Sequence, residues 1–393
     1  MEIENRPPPI LPSSMPAWFV IKNNHPDSKR VKATISLDGQ QIGSLLAYSS
    51  SNQLAYFELG EFFDANLSGA FNGHLPHVSI FEPLNDPDNR PGAMFEVSFS
   101  DDSSNTASQG IFIVKARLSM QGKKTIGYGY THHSVWSFLT GTSRTLSLRP
   151  LENTIFYPGQ PQALYIPSWS LTHHGPIAIA CQVLYPDGSW ESFTYNAGSI
   201  NISGAIYQVL VGYEKFLLEA LVQNFLPTDP IPVAYKVQLL HNSTPLSPQY
   251  TFNINFTKGL DTCIVYRNSL GGWDTFCPQG FTSHSYETQN EYADVIPFPH
   301  SPNNTLRLKQ HSQRHSIIIG TGHLPHYCLG QIHEMAASDM AYLIKSGQSA
   351  MPIVFDSTRL SIQKIQGQMI QAQIPVMINT PAAAEQLYDP VPK

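Results

Sequence analysis

The sequence is short of charge, of cysteine and of long apolar runs, and each shortage excludes a class of protein. Charged residues make up 13% of the chain, about half the share in an ordinary soluble domain. The 23 lysines and arginines are scattered and outnumbered by 29 acids, giving a net charge of −6. Nucleic acid is bound through clustered Lys and Arg, so it is not an expected partner. The four cysteines, Cys181, Cys263, Cys277 and Cys328, are too few for the framework that staples small secreted domains. No apolar stretch reaches the ~18 residues of a membrane-spanning helix, so membrane insertion is not expected. Met1 to Pro16 holds early acids and Pro7-Pro8-Pro9 but no apolar signal core. The expectation is synthesis in the cytoplasm without a signal peptide, with any extracellular life reached by particle assembly and lysis or by a non-classical route.

Signatures of chemistry are scarce as well. The sequence has no G-x-S-x-G elbow, no C-x-x-C pair and no Gly-rich phosphate loop, and His333-Glu334 lacks the second histidine of H-E-x-x-H. The densest ligand-type cluster is Gly322-His323-Leu324-Pro325-His326-Tyr327-Cys328, followed by His333. Imidazole and thiolate at this spacing suit zinc, with Cys263 or Cys277 as a further ligand, and they suit polar loop histidines equally. His323, His326, Cys328 and His333 are therefore the metal candidates, while no cofactor is expected. Gly-His-Leu-Pro-His also occurs at Gly73 to His77, without repeated flanks. His132-His133 and His173-His174 sit beside Ser134 and Thr172, a nucleophile arrangement without the elbow. Asp339 with Asp356, or Glu287 with Glu291, would be carboxylate pairs of the glycosidase kind. Trp169, Trp190 and Tyr207 are candidates for stacking on sugars, although aromatics alternating in strands usually serve a core.

What is present points to β structure. Aromatics are 11% of the residues, and 31 prolines suit many turns. At about 100–200 residues per domain the length suggests three. Residues 1–16 read as a proline-rich arm. In a first module, 17–121, Val31, Ala33, Ile35 and Leu37 alternate up to the hairpin signal Asp38-Gly39, and a short helix is expected at Glu61 to Leu67. Residues 122–168 read as a connecting segment. In a second module, 169–258, Ile177, Ile179, Cys181, Val183 and Tyr185 alternate into Pro186-Asp187-Gly188-Ser189. The third, 259–380, is β-rich with one helix from His333 to Lys345, striped by Met335, Ala336, Met340, Leu343 and Ile344. A bulge or turn is expected at Gly367, and 381–393 form a tail. The fold class is mainly β: tandem immunoglobulin-like or fibronectin-III-like sandwiches, then a C-terminal β-rich module.

The sharpest local pattern is Thr262 to Cys277. Two extended runs flank Asn268 to Gly272, so a hairpin sets Arg267 opposite Trp273, Tyr266 opposite Asp274 and Cys263 opposite Cys277. The cysteines form either a cross-strand disulfide or a packed reduced pair. Opposed β-carbons at roughly 4.5–5.5 Å and a reducing cytoplasm favour the reduced pair. Arg267 is expected over the Trp273 ring, and Tyr266 is expected to donate to Asp274.

The run Arg267-Asn268-Ser269-Leu270-Gly271-Gly272-Trp273-Asp274-Thr275-Phe276 resembles a motif of β-rich virion and tail proteins of Bacteroidetes phages and prophages. The similarity continues in Tyr342 to Gly347, Pro352 to Ser357 and the last strand, and more weakly in Ala55 to Phe63. It covers about half the chain. The two cysteines and Gly322 to Cys328 depart from it. The resemblance implies a non-enzymatic structural protein that assembles with itself and with other virion proteins. Two other functions stay open: a carbohydrate- or receptor-binding module meeting a cell-surface glycan, and a zinc- or histidine-dependent hydrolase.

Overall fold

The structure is a computed structural model that describes residues 1–24, 29–68, 80–84, 90–117, 145–149, 151, 154–169, 174–256, 262–294, 306–345, 350–365 and 369–378. Among the described residues the chain is mainly β. Its strands build sheets stacked in sandwich-like pairs.

The first half contains β1 (Glu2–Asn5), β2 (Ile10–Pro12), β3 (Trp18–Lys22), β4 (Arg30–Leu37), β5 (Gln40–Tyr48), β6 (Leu54–Glu58), α1 (Gly60–Ala65), β7 (Phe81–Leu84), β8 (Gly92–Asp101) and β9 (Thr106–Val114). One sheet runs β1-β3-β6, and a five-stranded sheet runs β2-β9-β8-β4-β5. Val31, Ala33 and Ile35 are fully buried, as their alternation requires. Between the sheets Phe19 and Phe57 each meet Phe99 at a centroid distance of 5.4 Å. Asp38 and Gly39 take φ of 53° and 77°, the left-handed pair that a two-residue hairpin needs. The arm expected at residues 1–16 contributes two strands, β1 and β2. The proline run delivers an extended backbone to Ile10 and Leu11, which are wholly buried in β2, parallel to β9.

The second half contains β10 (Thr154–Phe156), β11 (Ala163–Ser168), β12 (Gly175–Leu184), β13 (Trp190–Ile200), β14 (Ala205–Leu210), α2 (Leu218–Gln223), β15 (Ala234–His241), β16 (Thr244–Pro245) and β17 (Tyr250–Ile254). Its main sheet runs β10-β17-β15-β12-β13, with β16 added to β15. The connecting segment is thus not only a connector, because β10 and β11 are its strands. The facing sheet is β11-β14-β7, so the first half lends β7 to the second. Phe81 of β7 stacks on Tyr207 at 4.9 Å.

The C-terminal part contains β18 (Thr262–Arg267), β19 (Trp273–Phe276), β20 (Thr282–Asp294), β21 (Leu306–Pro325), α3 (Leu329–Ala336), β22 (Ala341–Lys345), β23 (Met351–Phe355), β24 (Ser361–Ile365) and β25 (Met369–Ile378). They form one eight-stranded sheet, β19-β18-β22-β23-β25-β21-β20, with β24 on β25. The helix expected from His333 to Lys345 ends at Ala336. Tyr342, Leu343 and Ile344 carry aromatic and branched side chains, and pairing of β22 to β18 overrides their helical spacing. Gly367 lies outside the described residues. From Tyr286 to Asp294 and from Leu306 to His315, β20 and β21 pair only with each other among the described residues. This two-stranded ribbon runs roughly 30 Å beyond the sheet at the usual rise per residue.

Burial pushes the Tyr235, Tyr250 and Tyr266 phenols and the Cys181 thiol above their ordinary values. The same groups in the unfolded chain ionise at roughly pH 8.5–10. The folded protein therefore holds more protons there and loses stability as pH rises. Urea unfolding is expected at a lower midpoint at about pH 10 than at about pH 8. Tyrosinate absorbance from these residues should emerge only with unfolding; a full titration of the folded chain near the ordinary value would contradict this burial.

Candidate functional site

The hairpin β18–β19 forms in the expected register, with Tyr266 opposite Asp274 and Arg267 opposite Trp273. Asn268 closes its loop: the backbone N–H of Asn268 donates to Gly272 O at 2.8 Å. In turn, Asn268 Oδ1 accepts from the N–H groups of Leu270 and Gly272 at 3.0 and 3.1 Å. Gly271 takes φ of +89°, and a β-carbon on Gly272 would run into the Leu146 carbonyl oxygen. Gly271 is therefore required by its left-handed backbone and the approach of Val114 and Lys115, and Gly272 by the way segment 145–149 crosses the loop.

The hairpin is buried on both faces. Cys263, Val265, Leu270, Trp273 and Cys277 join the core of the first sandwich, whereas Ile264, Tyr266 and Phe276 join the C-terminal core. Between these apolar layers lies a polar knot. Asp274, 1% exposed, accepts from Arg149 Nη2 at 2.7 Å and Nε at 3.1 Å, from Ser147 Oγ at 3.2 Å and from Asn268 Nδ2 at 2.7 Å. Arg149 also donates to Gln162 and to the Ala163 carbonyl oxygen. Burial alone would favour neutral Arg149, but the Asp274 charge and hydrogen bond outweigh it and raise its pKa. On the other side Ser269 donates to buried Glu334 of α3 through both its N–H and its hydroxyl. Gln331 donates to the Thr275 carbonyl oxygen at 3.2 Å.

Two expected contacts are replaced by these partners. The Arg267 guanidinium pairs with Asp339, Nη2 to Oδ2 at 2.6 Å and Nε to Oδ1 at 3.1 Å, and Trp273 meets the Tyr342 ring at 5.8 Å. Tyr266 hydrogen-bonds Gln331 and not Asp274, whose oxygens are taken by Arg149, Ser147 and Asn268. Burial first, then the charges of Asp274 and Glu334, holds the Tyr266 phenol protonated. Cys263 and Cys277 are free thiols. Burial and a hydrogen bond between the two raise the Cys277 pKa well above its ordinary value.

The Arg267–Asp339 pair forms one wall of a cleft of about 550 Å³, which Ser13, Asp64, Lys115 and Arg117 also line. Asp64 is occupied by Ser13 Oγ at 2.5 Å and Lys115 Nζ at 2.8 Å. Burial would raise its pKa, but those hydrogen bonds and the Lys115 and Arg267 charges lower it. Asp64 and Asp339 each hold a cation, while Glu58, whose Oε1 accepts from the Ala17 and Gly60 N–H groups, and Glu61 also line the cleft.

The remaining candidates are dispersed. His323 and Cys328 border a cleft of about 60 Å³ with Cys277, while His326 and His333 are exposed. No group of three metal-type ligands forms among the described residues. His74, His77, His132, His133, Ser134, Thr172 and His173 lie outside the described residues, as do the side chains of Glu287 and Glu291. His174 Nε2 meets Ser203 Oγ at 3.1 Å at the surface. Asp356 caps its own turn through Thr358, remote in role from Asp339. Trp169 and Tyr207 belong to cores, whereas Trp190 is 46% exposed with Lys236 Nζ 4.7 Å from its ring centroid. Ser147, Arg149, Gln162 and Glu334 are the participants that the sequence did not point to. Nothing local marks Arg149, which reaches Asp274 across 125 positions.

No protein-family model matches the chain, and no curated protein matches it.

Removing one member of a buried ion pair typically costs about 3–5 kcal/mol because its partner stays charged and dry. Arg149→Met and Asp274→Leu are each expected to lower chemical-unfolding stability by that order, and the double variant by less than their sum. A double variant that costs the full sum would mean the two side chains act independently. Gly272→Ala is expected to cost about 1–3 kcal/mol through the Leu146 contact; an unchanged unfolding midpoint would argue against that contact.

Proposed function

We propose that this protein is a non-enzymatic structural subunit of a phage tail, baseplate or related particle, working through contacts with its own copies and with other particle proteins. The β20–β21 ribbon carries this reading. An isolated two-stranded ribbon is marginally stable in water, and its edges present rows of unpaired backbone donors and acceptors. Such a ribbon gains order when another chain covers it. Low surface charge supports the same reading, because charged residues are depleted at interface cores. The hairpin resemblance to virion proteins adds to it, and the site of action would be a virion or other extracellular particle.

We read both halves as immunoglobulin-like. In each, the main sheet begins with a first strand parallel to the last and continues antiparallel: β2-β9-β8-β4-β5 and β10-β17-β15-β12-β13. A three-stranded sheet faces each, the layering of that sandwich class. Sandwiches of this kind serve as rigid spacers that present edges and loops to neighbours.

A second reading, a receptor- or glycan-binding module, is favoured by Trp18 and Tyr56. They are 48% and 54% exposed on the outer face of the β1-β3-β6 sheet, where Trp18 lies opposite Glu58. Aromatics beside a carboxylate suit sugar stacking. Proteomics of purified particles, with light scattering and electron microscopy of the isolated chain, tests the leading reading. The expected result is a stoichiometric particle component that self-associates. A permanent monomer missing from particles, together with hits on a glycan array lost in Trp18→Ala, would transfer the weight to the second reading.

A further inference from the structure

We infer that the ribbon's partner is a second copy of this chain, joined head to tail, with β20 of one copy against β21 of the next. This rests on the assembly reading and names its partner. Within the ribbon, Tyr286 to Asp294 carries Glu287, Glu291 and Asp294 and no lysine or arginine, while Leu306 to His315 carries Arg307, Lys309 and Arg314 and no acid. Among the described residues, one unpaired edge therefore belongs to an acidic strand and the other to a basic strand. In the register of the ribbon Glu287 stands opposite Arg314.

The same complementarity selects the symmetry between copies. A two-fold contact would set acidic strand against acidic strand, or basic against basic, and like charges across a strand pair destabilise it. A head-to-tail contact sets acid against base at every junction. Ribbons lying side by side with their tips in one direction meet with β20 and β21 antiparallel, the same ladder as inside each ribbon. Such a contact is heterologous, so it closes into a ring when its rotation permits and otherwise grows as a filament.

The pairing slips between Glu291 and Tyr292, leaving Lys309 as an extra residue. Bulges of this kind bend and twist a strand, as curvature into a ring requires.

The test uses two full-length variants. One carries Glu287→Lys, Glu291→Lys and Asp294→Lys, which makes both strands basic; the other carries Arg307→Glu, Lys309→Glu and Arg314→Glu, which makes both acidic. Wild-type chain is expected to form a concentration-dependent ring or filament by light scattering and cryo-electron microscopy. Each variant alone should associate about tenfold more weakly or less, with an unchanged thermal midpoint because the ribbon lies outside the cores. Their equimolar mixture should recover an alternating assembly. Variants that assemble like wild type and still enter particles would overturn the head-to-tail pairing while leaving the assembly reading intact. A mixture that fails to recover would also overturn the pairing. A wild-type chain that is monomeric and absent from particles would overturn both.

Discussion

The Arg149–Asp274 pair is the interaction on which the rest of the molecule depends. Both side chains are almost entirely out of water, 2% and 1% exposed. Either charge alone in that setting would carry a desolvation penalty of several kcal/mol. Asp274 lies on the hairpin between the C-terminal core and the first sandwich, and Arg149 lies on the segment that leads into the second. Forming the pair therefore requires those parts to be in place together. Such pairs add little net stability against an apolar alternative but penalise arrangements in which one partner is missing. The knot favours one way of putting the sheets together.

Other features carry the same logic. β7 leaves the first half to complete the β11-β14 sheet of the second, where its Phe81 stacks on Tyr207. The C-terminal sheet begins with a hairpin whose one face is part of the first core. Glu334 on α3 then fixes the tip of that hairpin through Ser269. Apolar burial supplies the driving force, and these polar links supply the register.

Features set by neighbours in sequence were legible, and features set by distant partners were not. Asp38-Gly39 and Asn268 to Gly272 carry their turn geometry in their own residues, so both hairpins could be placed. The alternation through Val31 to Leu37 and Ile177 to Tyr185 revealed the buried faces for the same reason. Residues 340–345 carried competing periods, and the choice between helix and strand was made by β18, some eighty positions away. β7 crosses between halves, which no local period records. The roles expected for Arg267 and Tyr266 failed because each was assigned its cross-strand neighbour. In the fold, Asp339 and Gln331 approach from other elements with better hydrogen-bonding geometry.

The ribbon was invisible to pattern reading for a different reason. Its segments are too polar in sequence to read as sandwich strands and too regular to read as loops. A strand is recognised from the core it covers, and the outer part of each of these pairs only with the other among the described residues. Edge strands of natural sheets are normally short, charged at the middle or covered, because open edges recruit other chains. Here the cores are closed by the polar knot and the shared strand, while two long edges have no partner strand among the described residues. Separating acids onto one strand and bases onto the other leaves those edges attractive to each other and repulsive to themselves. That pattern restricts recruitment to one partner orientation. It is the arrangement expected where open edges are to be used and unspecific aggregation is to be limited.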